Sequence, residues 1–113
     1  MNGKDYVVGA IELTQRLLSE MKNSELLDGN PLLEEATSAC GILENVKKKA
    51  TLRTKAGTNI AFPVYDAAQK LEEAWEEAQE REDTDELKAQ MEEFVNSVQT
   101  LGATLKERTV IMT

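Results

Sequence analysis

Apolar residues recur at intervals of three and four along most of the chain, the spacing that lines one face of an α-helix. Four such stripes stand out. The first holds Val7, Ala10, Ile11, Thr14, Leu17, Leu18 and Met21, with Asp5 placed to cap its start. The polar stretch from Asn23 to Asn30, containing Gly29, closes it, and Leu26 and Leu27 within that stretch are expected to turn back onto the core. The second opens at Asn30-Pro31, a cap residue followed by proline at the first helical position. Its stripe is Leu32, Leu33, Ala36, Ala39, Cys40, Leu43, Val46 and Ala50, weakened by Gly41. Ile42 falls off that stripe and is expected to contact another element or a partner.

The third stripe is read from Pro63: Val64, Ala67, Ala68, Leu71, Ala74, Trp75 and Ala78. The fourth follows the short connection from Arg81 to Asp85, where Asp83 and Glu86 are spaced as a capping box. It carries Leu87, Met91, Phe94, Val95, Val98, Leu101 and Leu105, and Gly102 is expected to end or kink it. Four amphipathic segments of similar length predict an all-α fold, an up-down four-helix bundle-like domain spanning residues 1–113 as one unit. Trp75 and Phe94 lie on stripes and are expected in the core.

Two stretches break the helical pattern. Between the second and third segments, Leu52/Thr54 and Ile60/Phe62 alternate around Gly57, which predicts a short β-hairpin. The tail from Thr109 through Val110, Ile111 and Met112 to Thr113 reads as extended. With Ile42, it offers apolar positions left over for a partner or a second copy of the chain.

Composition narrows the chemistry. The 113 residues include no histidine and one cysteine, Cys40. Serine and cysteine nucleophiles activated by histidine are therefore excluded, as are an intrachain disulfide and the usual zinc sites. Cys40 on a core stripe reads as an inert buried thiol, and a lone cysteine fits the cytoplasm. The start, Met1-Asn2-Gly3-Lys4-Asp5, does not read as a signal peptide, because no apolar run follows a basic segment, and no stretch is apolar enough to cross a membrane. No P-loop, dinucleotide-binding or EF-hand pattern is present, and no cofactor is expected.

Charge is the remaining signal. Thirteen bases against 21 acids give a net charge of −8, which disfavours direct nucleic-acid binding and favours protein partners with a basic surface. The charges are also segregated. Lys47, Lys48, Lys49, Arg53 and Lys55 form a basic loop with no acid among them. Between Glu72 and Glu86 nine acids face one base, Arg81. Glu72, Glu73, Glu76, Glu77 and Glu80 share one helical face, with like charges at i,i+4 that cost about 1 kcal/mol together. Their five carboxylates spread over roughly 12 Å of helix, about one per 2.4 Å, against one per ≈ 1.7 Å in duplex DNA.

Glu73-x-x-Glu76 and Glu77-x-x-Glu80 also resemble the first half of the E-x-x-E and E-x-x-D pattern of the MazG-like all-α nucleotide pyrophosphohydrolases. The second half is missing. Glu82-x-x-Asp85 follows too closely and falls in a turn, and Glu93-x-x-Asn96 lacks the second acid. No metal site is therefore assigned. Three functional expectations follow, in descending order. The first is a small non-enzymatic interaction module acting as adaptor, chaperone or assembly subunit. The second is an acidic inhibitor that imitates nucleic acid, of the kind small phage-encoded proteins provide. The third is a Mg²⁺-dependent nucleotide hydrolase using the same glutamates.

Overall fold

The computed structural model describes residues 2–27 and 29–112, and the side chains of residues 2–27 and 29–106. Four helices form it: α1 (Gly3–Lys22), α2 (Leu32–Val46), α3 (Lys55–Arg81) and α4 (Asp85–Met112). A 3-10 turn, Ala50–Arg53, joins α2 to α3. No strand occurs among the described residues.

Local chemistry sets each boundary. Asn2 caps α1, its side chain accepting from the Asp5 N–H at 3.1 Å while the Asp5 carboxylate accepts from the Asn2 N–H at 3.0 Å. Asp5 is thus the far half of a capping box rather than the cap itself. Asn30 Oδ1 accepts from the Leu32 N–H at 2.9 Å and starts α2. Thr54 Oγ1 accepts from the Gly57 N–H at 3.0 Å and starts α3. Glu82 ends α3 in the left-handed region at φ 56°, and Asp83 Oδ1 accepts from the Asp85 N–H at the head of α4.

The hairpin expectation is corrected here. Residues 51–62 form the 3-10 turn and the first two turns of α3, so α3 starts eight residues before Pro63. The helical face was hidden because it begins with small residues, Gly57 and Ala61, both buried. Pro63 is accommodated inside α3, at the loss of one bond to the Asn59 carbonyl. α2 correspondingly ends at Val46, and Ala50 belongs to the 3-10 turn. The tail expectation is corrected too: the α4 backbone stays helical through Met112 and passes Gly102 without ending. The side chains of Val110, Ile111 and Met112, and the whole of Thr113, lie outside the described residues.

Contacts fix the arrangement. α1 packs on α3 and α2, and α4 packs on α3 and α2. Tyr6 meets Phe62 and Arg16 meets Glu72, so α1 and α3 run parallel. Gln15 near the middle of α1 meets Glu44 near the end of α2, and Lys22 at the end of α1 lines a cavity with Thr37 nearer the start of α2, so α2 runs antiparallel to α1. Helix direction alternates along the chain, yet α2 and α3, although consecutive, lie diagonally across the core. The connection between them therefore crosses the end of the molecule, and Leu52, fully buried, plugs it against α1 and α3. Gly3 and Gly57 allow that closure: a Cβ on Gly3 would fall 2.5 Å from the Leu52 carbonyl oxygen, and one on Gly57 2.0 Å from that of Thr51.

The core is aliphatic with two large aromatics. Trp75 and Phe94 are buried as expected, among Leu17, Met21, Leu43, Leu71, Met91 and Leu101. Leu27 is buried and Leu26 packs beside it, so the stretch after α1 does fold back on the core. No described helix is long and apolar enough to cross a membrane. The principal extents are 48 × 25 × 18 Å.

Candidate functional site

The parallel course of α1 and α3 sorts the charges by height along the long axis. The C-terminal ends of both helices, the start of α2 with Glu34 and Glu35, and the α3–α4 turn meet at one end. At that pole Glu73, Glu76, Glu77 and Glu80 of α3 are exposed, as are Glu82, Asp83, Asp85 and Glu86 of the turn. The opposite pole carries the basic loop. Lys48, Lys49, Arg53 and Lys55 are exposed there, while Lys47 caps α2 and pairs with Glu44 at 2.6 Å. A cation at that helix end suits the α2 dipole, whereas Lys55 in the first turn of α3 works against the dipole of its own helix.

Glu72 departs from the expected five-carboxylate face. It is half-buried and bound to Arg16 of α1. Arg16 also approaches Glu20 at 3.8 Å, and Glu20 accepts from the Trp75 indole N–H at 3.2 Å. Glu72 thus helps to tie α1 to α3, leaving four carboxylates for an external partner. Of these, Glu77 reaches Arg81 at 4.0 Å.

Among the described residues no three carboxylate or thiol side chains converge on one point where an ion could be held. Cys40 is buried beside Thr14, with Sγ 3.0 Å from Oγ1. The Thr14 hydroxyl also reaches the Ala10 carbonyl oxygen at 2.7 Å, and in the Thr14–Cys40 pair either side chain can be the donor. Burial pushes this thiol above its ordinary value of 9.0, with the Thr14 hydrogen bond acting in the opposite sense. Raised thiolate cost and burial both fit an unreactive core cysteine.

Ile42 is half-buried, and its Cγ2 lies 3.4 Å from where a Cβ on Gly102 would stand. It contacts another element as expected, and that element is α4.

Sequence reasoning missed an aromatic cluster. Tyr6 of α1 stands edge-on to Phe62 of α3, with ring centroids 5.4 Å apart at 80°, and lies 5.4 Å from Tyr65. The Tyr65 ring lies over Gly9, where an added Cβ would come within 3.0 Å of it. Phe62 is 49% exposed and is the one large hydrophobic side chain so exposed among the described residues. Had α3 been extended back to Lys55, its helical phase would have put Phe62 opposite the buried stripe. No protein-family model, curated protein or solved structure matches the chain.

Proposed function

We propose that this chain is a non-enzymatic interaction module that presents its acidic pole to a basic surface on a protein partner. One observation supports the reading above the others. Exposed carboxylates of α3 and of the α3–α4 turn gather at one end of a 48 Å molecule whose exposed basic loop lies at the other. Such a field steers a cationic partner to one end and orients it before contact.

Imitation of nucleic acid is the weaker reading. With Glu72 held by Arg16, four carboxylates remain from Glu73 to Glu80, over roughly 10.5 Å, or about one per 2.6 Å. That is about two-thirds of the linear charge density of duplex DNA, at one per ≈ 1.7 Å.

The test is capture of partners from a lysate of the source at about 0.15 M and about 0.5 M salt, where screening separates polar from apolar attachment. A specific protein held by the wild type, lost at the higher salt and lost with Glu77→Lys/Glu80→Lys, is the expected result. A partner retained by that double variant would refute the acidic-pole reading.

A further inference from the structure

From the outward stripe of α3 we infer that a second copy of this chain docks antiparallel against the α1/α3 face, forming a two-fold dimer centred near the aromatic cluster. At 3.6 residues per turn, Lys55, Gln69, Glu73, Glu76 and Glu80 all fall within about 40° of Phe62 around the helix. All six are exposed. From Lys55 to Glu76 the stripe runs about 32 Å, from basic through aromatic to acidic, with Asp66 at its margin paired to Lys70 at 3.2 Å.

A stripe of that kind is complementary to itself when reversed. A two-fold interface is isologous, so every contact occurs twice. An axis beside Phe62 and Tyr65 sets the aromatic clusters of the two copies against each other. It also sets Lys55 of each copy near Glu73 of the other, and Arg53 near Glu76. Among the described residues, none of Arg53, Lys55, Glu73 or Glu76 has an ion-pair partner within its own chain. The parallel alternative would place like charges together along the whole stripe. Aromatic side chains at the centre of a patch with charged residues at its rim follow the usual anatomy of protein interfaces. Docking here puts Glu80 at the edge of the interface and leaves Glu77 and the acids of the α3–α4 turn at the outer ends of the dimer, so the acidic-pole reading does not depend on it.

Sedimentation equilibrium of the full chain over a dilution series tests the dimer, at about 0.05 M and about 0.5 M salt. The expected species at low salt has twice the 12.6 kDa chain mass. Phe62→Ser should raise the dissociation constant about tenfold or more. Arg53→Glu/Lys55→Glu alone and Glu73→Lys/Glu76→Lys alone should each be monomeric, because each makes the reversed stripes repel. Mixed together, the two variants should form a heterodimer, since one set of pairs is then restored with the signs exchanged and the other with the wild-type signs. Helical circular dichroism of each variant checks that it is folded before mixing. A wild-type monomer at both salts, a Phe62→Ser variant that dimerises as well as wild type, or a mixture of folded variants that stays monomeric would overturn the proposal. Species growing beyond two copies would overturn it too, because they indicate head-to-tail stacking of opposite poles.

Discussion

Two glycines inside helices show how differently the same residue can weigh. Gly41 is exposed in the middle of α2, and a Cβ there would meet nothing within 4 Å. It carries the backbone-entropy penalty of glycine with no packing return. Gly41→Ala is expected to stabilise the protein by about 0.5–1 kcal/mol, read as a rise in thermal midpoint of several degrees. Gly57 is also helical, but a Cβ there would lie 2.0 Å from the Thr51 carbonyl oxygen and 2.6 Å from the Leu52 Cα. Both are backbone atoms, so no rotamer change relieves the overlap. Gly57→Ala is expected to cost at least about 2 kcal/mol, at the upper end of overpacking penalties. If denaturant unfolding gives the two variants equal midpoints, the closure of the molecule around Leu52 is wrong.

At the scale of one element, α3 carries an electrostatic burden. Glu76 stands four residues from both Glu72 and Glu80, and three from Glu73, all acids. Glu76→Lys turns these repulsions into attractions, each worth a few tenths of a kcal/mol, for a gain of roughly 1 kcal/mol. The measurement is thermal unfolding at low salt and at a protein concentration dilute enough to keep the chain monomeric. The gain should shrink in high salt, because these side chains are exposed. An unchanged midpoint at low salt would mean that the helix does not feel its own charge. The same element shows what could be read before the structure. From Val64 to Ala78 its buried face was legible because leucine, tryptophan and alanines recur at helical spacing. From Lys55 to Phe62 it was not. There the buried positions are Gly57 and Ala61, which carry almost no hydropathy, while exposed Phe62 and half-buried Ile60 imitate an alternating strand. The Thr109–Ile111 run misled for a related reason, since β-branched residues favour strands only where a sheet exists to receive them. The carboxylate face was legible residue by residue, except that no local pattern reveals the Arg16 that claims Glu72 from another helix.

For the whole molecule, topology decides what the charges can do. Had α2 and α3 been neighbours, the basic loop would have joined adjacent helices. Instead it crosses the end of the core, concentrating Arg53 and Lys55 beside the start of α1 and as far as the fold allows from the α3–α4 turn. Net charge alone does not distinguish this arrangement from an evenly acidic surface, but charge placement does. Glu77→Lys/Glu80→Lys at the pole and Glu12→Lys/Glu92→Lys at mid-height both move the net charge from −8 to −4, since each replacement adds two. Glu12 is exposed in the middle of α1, and Glu92 is exposed on α4, where it lines a cavity with Ala67 near the middle of α3. If attraction to a basic partner acts through the acidic pole, the pole variant should slow association by about tenfold or more at low salt. The mid-height variant should fall only slightly below wild type. The readout is the association rate with the captured partner, followed as ionic strength is raised, and the wild-type and pole-variant curves should converge at high salt. Equal slowing by both variants would show that the partner responds to total charge alone, and the segregation along the long axis would then be a feature of folding rather than of recognition.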